Sequence, residues 1–140
     1  MNKIDSNPRA TTVVIFGASG DLTQRKLIPA LYNNYKKQRL AGGIRIIGFA
    51  RRQWSDNHFR DRLRDGVRQY GGTSFDDNTW NKFSKGVHYF RGNLDVPDDY
   101  RRLQSHLDNV EGGPANRLYY LATAPELYGA VCEHLVLCKN

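Results

Sequence analysis

Four short apolar runs punctuate an otherwise polar chain. Most are followed by a segment whose apolar residues recur every three or four positions. The first run, TTVVIF at residues 11–16, is β-branched and apolar on both faces. That is the pattern of a strand buried inside a parallel sheet. Residues 21–38 then carry helical spacing, with Leu27, Leu31 and Tyr35 four apart on the face expected to meet the sheet. Pro29 interrupts this helix, because proline lacks an N–H and clashes with the preceding turn. The pattern therefore predicts a short turn over residues 22–28 and a kink or restart at Pro29. Gly42 and Gly43 stop the helix.

The alternation repeats. Residues 44–49 read as a second strand, and Ser55 as the N-cap of the helix that follows. Phe59, Leu63, Val67 and Tyr70 line one face of that helix, with arginine and aspartate on the other, and Gly71–Gly72 ends it. A short helix is expected over 77–85 and a third strand, VHYFR, over 87–91. A helix over 98–107 shows Tyr100, Leu103 and Leu107 as its stripe. Gly112, Gly113 and Pro114 form a loop, LYYLA at 118–122 is the fourth strand, and Pro125 opens a last helix to about residue 137.

Strands alternating with helices predict the α/β class: a parallel sheet with helices on both faces. With right-handed crossovers the strand order is 3-2-1-4, a Rossmann-like sheet, here incomplete at about four strands. Residues 1–10 read as a disordered polar leader and residues 11–140 as one partial dinucleotide-binding domain. No internal repeat, low-complexity run or linker divides it.

Composition narrows the class. At 140 residues, 39% hydrophobic and 25% charged, the chain is a soluble globular domain in its bulk properties. No apolar run has the length of a membrane span, and the N-terminus lacks the apolar centre of a signal peptide. The two cysteines, Cys132 and Cys138, fit neither a zinc site nor a disulfide framework and read as reduced thiols, which points to the cytoplasm. The net charge of +7 suits a phosphorylated small ligand or a nucleic acid. Its placement disfavours nucleic acid, since the arginines of residues 55–70 alternate with aspartates as on a solvated face.

The candidate chemistry sits where the first strand ends. Gly17-Ala18-Ser19-Gly20 leaves that strand and enters a helix. In this class of sheet, ligands lie beyond the carboxyl ends of the strands, where strand order reverses. Glycine admits a pyrophosphate close to the backbone, and the following helix N-terminus offers unpaired N–H groups. Ser19 adds a hydroxyl donor. The G-x-x-G spacing is a weak motif by itself, since tight strand-to-helix turns use the same glycines. Asp21 can cap the helix or accept from a ribose hydroxyl. The second strand ends in Arg51-Arg52, where NAD-binding sheets carry Asp or Glu for the ribose. A guanidinium there suits the 2′-phosphate of NADP. The stretch Leu121-Ala122-Thr123-Ala124 leaves room for the nicotinamide half, and Tyr128 can cover it or lie in the core.

Together these stretches resemble the N-terminal part of glucose-6-phosphate dehydrogenase, over about residues 11–135. FGASGDLTQRKLIPALY resembles the family's nucleotide turn, IIGFARRQWS its second strand and the arginine beyond, and NRLYYLATAPELYGAV its fourth-strand segment. The resemblance implies that Gly17, Ser19, Gly20, Asp21 and Leu22 contact the cofactor, Arg51 its 2′-phosphate, and that Tyr128 lies beside bound NADP. Ala18 and Ala122 complete the expected cofactor-binding set. Ala124 departs from the family by replacing the first proline of its Pro-Pro pair.

The family's E-K-P-F-G stretch, its R-I-D-H-Y-L-G-K-E stretch with the catalytic histidine, and its large oligomer-forming domain have no counterpart in these 140 residues. His58, His88, His106 and His134 match no catalytic position. The resemblance implies oxidation of glucose 6-phosphate to 6-phosphogluconolactone with NADP, and homo-oligomers only where the further domain is present. The expectation for these residues alone is cofactor binding without turnover. Two alternatives stay open: a non-catalytic nucleotide-binding or interaction module, and another NADP-dependent reductase.

Overall fold

A computed structural model describes residues 9–39, 43–72 and 75–139, with side chains through residue 136. Most of the expected leader, together with Gly42, lies outside these residues. The four strands are β1 (Thr11–Phe16), β2 (Ile44–Ala50), β3 (Val87–Arg91) and β4 (Asn116–Leu121). All pair in parallel, in the order β3-β2-β1-β4, as the alternation of elements predicts. The helices are α1 (Ile28–Lys36), α2 (Asp56–Tyr70), α3 (Asp77–Ser84), α4 (Pro97–Glu111) and α5 (Tyr128–Lys139).

Successive strand residues point to opposite faces, and each face takes its own helices. Val13, Ile15, Ile46, Val87 and Tyr89 form one core with Ile28 and Tyr32 of α1, Phe59, Leu63 and Val67 of α2, and Trp80 and Phe83 of α3. Val14, Phe16, Ile47 and Phe49 form the other with Tyr100, Leu103 and Leu107 of α4 and Val131 of α5. Gly48 lies where the Phe59 ring lands on β2, and any Cβ there would overlap that ring. This glycine sets how closely α2 sits on the sheet.

Pro29 acts as its covalent chemistry requires. The backbone stays helical from residue 21 to 36 without a restart: a π-helical turn over Thr23–Leu27 leads directly into α1, and this wider turn precedes Pro29, which has no N–H to give to the regular ladder. The face α1 presents is centred one residue from the expected stripe. Ile28 and Tyr32 are fully buried, while Leu27, Leu31 and Tyr35 pack at its flank. Ser55 caps α2, its hydroxyl accepting the His58 N–H at 3.0 Å. Tyr70, expected in the core stripe, is instead 38% exposed, with the Arg25 guanidinium 5.1 Å from its ring centre. Helix α4 begins at Pro97, a residue earlier than its polar pattern suggests, because proline is preorganised for the first helical position. No helix among the described residues is long and apolar enough to cross a membrane.

Candidate dinucleotide site

The site begins where β1 ends. Gly17 leaves the strand at φ +85°, and a Cβ there would lie 2.6 Å from the Ala122 carbonyl oxygen and 2.8 Å from Thr123 Cγ2. Only glycine fits both the torsion and the space. Gly17 is thereby wedged between the carboxyl ends of β1 and β4, the place where the strand order reverses. The Phe49 carbonyl accepts the N–H groups of Gly17 (2.9 Å) and Ala18 (3.2 Å), tying the turn to β2. The Gly20 N–H donates to the Gly17 carbonyl at 3.2 Å. Three of the turn's donors are therefore spent inside the protein. Among the described residues, no hydrogen bond takes the N–H of Ser19, Asp21 or Leu22. These donors, at the start of the following helical turn, are the ones left for an anion.

A cleft of about 310 Å³ opens against this turn. Gly17 and Ser19 form one wall, Phe49, Ala50 and Arg51 the floor, Gly92, Asn93, Leu94 and Asp95 the far wall, and Leu127 closes one end. Of the residues expected from sequence, Gly17, Ser19 and Arg51 line it. Ala18 is buried and packs into the core. Gly20, Asp21 and Leu22 are exposed beside the turn and do not line the cleft. The Asp21 carboxylate makes no hydrogen bond or ion pair among the described residues, so it does not cap the helix. Ala122 backs Gly17, and its own N–H donates to the Phe16 carbonyl at 2.8 Å. Tyr128 is 39% exposed at the start of α5, and its neighbour Leu127 reaches the cleft instead. The peptide bond between Ala124 and Pro125 is trans.

Sequence reasoning missed the far wall. The signal was there: β3 ends on the same rim as β1 and β2, so the loop after it must face the ligand crevice. That loop is held stiffly. Asn93 Oδ1 accepts the Asp95 N–H at 2.9 Å, and Asp99 Oδ2 accepts the Asn93 N–H at 2.8 Å. The Asn93 N–H, and after it the Arg102 guanidinium, hold the Asp99 carboxyl below the usual carboxylate range.

A second cavity, of about 440 Å³, continues from the cleft through the shared residues Arg51, Gly92 and Asn93. Its remaining lining is Arg91, Asp99 and Arg102, so three guanidinium groups face one carboxylate. Arg52 is not among them; its guanidinium carbon lies 5.9 Å from the centre of the Trp54 ring. No histidine lines either cavity. His134 stacks on Tyr100 at 4.8 Å, and His106 lies against Phe90 at 5.4 Å.

Residues 14–139 match the family model described as glucose-6-phosphate dehydrogenase, NAD binding domain. The chain belongs to the glucose-6-phosphate dehydrogenase family. It is 38% identical over 126 residues to glucose-6-phosphate 1-dehydrogenase of Chlamydia pneumoniae, covering 88% of this chain and 25% of that protein. The enzyme of the same name from Aggregatibacter actinomycetemcomitans is 40% identical over 126 residues, with the same coverage. That of Schizosaccharomyces pombe is 37% identical over 125 residues, again covering 88% of this chain and 25% of the relative. Among solved structures, glucose-6-phosphate 1-dehydrogenase from Mycobacterium avium superposes with a TM-score of 0.80 at 27% identity, over 92% of this chain and 27% of that one. A glucose-6-phosphate dehydrogenase in complex with its substrate glucose 6-phosphate superposes with a TM-score of 0.78 at 31% identity, at the same coverage. The chain thus spans about a quarter of the length of these relatives.

Proposed function

We propose that this chain is the NADP-binding part of a glucose-6-phosphate dehydrogenase, and that these 140 residues bind the cofactor without oxidising the sugar. The observation that carries the cofactor choice is Arg51. It lines both the cleft and the arginine-rich cavity beyond it, at the end of β2. A carboxylate at that position would accept from the free ribose hydroxyls of NAD and repel a 2′-phosphate; a guanidinium does the reverse. Gly17 lets the dinucleotide backbone approach β1, and the N–H groups of Ser19, Asp21 and Leu22 suit its pyrophosphate. Hydride acceptance at the nicotinamide is the chemistry that the cofactor supplies when bound.

The sugar half of the reaction needs a base for the C1 hydroxyl proton, which this cleft does not hold. No histidine lines it, and the one carboxylate in its wall, Asp95, belongs to the loop after β3. A missing general base costs roughly 10²–10⁴-fold in rate.

Calorimetric titration of NADP and NAD into the wild type and Arg51→Ala tests the reading. One charge-assisted bond to phosphate supports a preference of about ten- to a hundredfold for NADP, which Arg51→Ala abolishes while leaving NAD binding unchanged. With glucose 6-phosphate and NADP at saturation, NADPH formation stays at background. Equal loss of both cofactors, or turnover at the rate of an intact dehydrogenase, refutes it.

A further inference from the structure

Strands β2 and β3 run in parallel with Ala50 opposite Arg91, so Arg91, the last residue of β3, and Arg51, the first residue past β2, stand at the same rim of the sheet. Arg91 Nε donates to the Arg51 carbonyl at 3.1 Å, which binds the two strand ends together. Beyond that bond, neither guanidinium has a carboxylate partner among the described residues, and both side chains are exposed. The third arginine of the cavity is different. Arg102 Nη1 donates to Asp99 Oδ1 at 2.9 Å, and its guanidinium lies 4.9 Å from the Phe90 ring centre. The other Asp99 oxygen is taken by the Asn93 N–H. The only carboxylate lining the cavity is therefore fully engaged, and two guanidinium groups are left facing about 440 Å³ of open space.

Two unpaired like charges in one cavity wall repel each other, and a dianion between them removes that repulsion. Arg51 and Arg91 line the same cavity, so a phosphate bound in it has both guanidinium groups in its wall. We propose that Arg91 is a second specificity-determining residue, which contacts the ribose 2′-phosphate together with Arg51. This rests on the NADP reading above. It adds that the preference comes from two strand ends, of which only the first was legible in the sequence as a phosphate ligand.

Two routes for Arg91 must be separated. It can touch the phosphate, or it can act only by holding the Arg51 backbone through its Nε. Isothermal titration of NADP, NAD, adenosine 2′,5′-bisphosphate and 5′-AMP into wild type, Arg91→Ala, Arg91→Gln, Arg51→Ala and the double variant does this, with each variant's melting recorded. Arg91→Ala and Arg91→Gln weaken NADP and the bisphosphate by about tenfold and leave NAD and 5′-AMP unchanged. In the Arg51→Ala background, removing Arg91 costs a further several-fold. The proposal is overturned if either Arg91 variant binds NADP as wild type does, or loses both cofactors equally. It is also overturned if the double variant is no weaker than Arg51→Ala, since Arg91 then acts only through Arg51. If Arg51→Ala alone fails to reduce the NADP preference, or the wild type has none, the NADP reading itself falls and this proposal with it.

Discussion

Gly17 stands against Ala122 so closely that a methyl group on Gly17 would lie 2.6 Å from the Ala122 carbonyl oxygen. The backbone also runs through φ +85° there, which an L side chain adopts at a cost. The torsion alone costs about 1–3 kcal/mol, and the overlap adds to it. Gly17→Ala therefore lowers stability by at least about 2 kcal/mol, a fall in Tm of roughly 5–10 °C for a chain of this size. Gly20 is the control. A Cβ there meets only the Gly17 carbonyl, at an ordinary 3.5 Å, so Gly20→Ala melts close to wild type. Calorimetric melts of both variants check this. A Gly17→Ala protein that melts like the parent would show that the β1–β4 contact can open without cost.

The sheet was legible because each strand carries a short apolar run, continuous and β-branched in β1. VHYFR occupies β3 at the expected bounds, and the Tyr100-Leu103-Leu107 stripe of α4 is fully buried. Strand order followed from the alternation of elements. Four features were not legible, for one shared reason: each depends on an approach between segments distant in sequence. Gly48 is fixed by the Phe59 ring, and Gly66 by the Gln24 backbone. The far wall of the cleft comes from the loop after β3. Strand β4 begins at Asn116, earlier than its apolar run, because an edge strand tolerates polar residues and Arg117 finds its partners on α4. Of the cofactor-binding residues expected from sequence, Gly17, Ser19 and Arg51 line the cleft. The sequence could not show that the Phe49 carbonyl consumes the N–H groups of Gly17 and Ala18.

Arg117 and Glu111 fasten β4 to the end of α4. Arg117 Nη2 meets Glu111 Oε1 at 2.7 Å and Asp108 Oδ1 at 2.9 Å, and its Nε lies 3.1 Å from Glu111 Oε2. The Glu111 side chain is only 4% exposed. Burial pushes its carboxyl up, but hydrogen bonds from Arg117 and Thr12 outweigh that and hold it below the usual glutamate value. A depressed folded pKa gives stability that is present above the unfolded value, about 4.3, and lost as pH falls through the folded one. Glu111→Gln thus destabilises by about 2 kcal/mol at neutral pH, less than a fully buried pair because Arg117 keeps partial solvent access. It also flattens the loss of stability as pH falls below the unfolded value of about 4.3. Urea midpoints above and below that pH are the measurement, and parallel wild-type and mutant curves would contradict it.

His106 has the opposite reason to prefer neutrality. Burial lowers its pKa, the nearby His88 adds to the effect, and Asp56 opposes it. Its Nε2 is buried without a hydrogen-bond partner, beside the Phe90 ring. In the unfolded chain a histidine protonates near pH 6.5, while the folded protein resists that proton. The unfolded state binds more protons below that pH, so stability is complete above about 6.5 and declines as pH falls toward the folded pKa. His106→Phe removes this slope, and its apolar ring suits the site. Thermal melts between about pH 7 and pH 5 decide the matter: a slope that survives in His106→Phe belongs to another group.

Strand β4 exposes apolar surface on the face that the rest of the sheet buries. Its register sets Leu118 beside Val13 and Tyr120 beside Ile15. Val13 and Ile15 are covered by helices, but Leu118 is 55% exposed and Tyr120 36%. Helix α5 packs on the opposite face, through Val131. No strand pairs with the outer edge of β4 among the described residues. An edge with open backbone groups and apolar side chains pairs readily with another chain. These 140 residues therefore self-associate in a concentration-dependent way. Leu118→Lys and Tyr120→Lys place charge on that edge, a device that blocks strand pairing, and at exposed positions they change folding stability by only about 0.5 kcal/mol. Sedimentation velocity over a range of concentrations should show the wild type growing in mass and the double lysine variant remaining a monomer. A wild type that stays monomeric throughout, or a variant that associates equally, would mean that the β4 edge is not where copies of this chain meet.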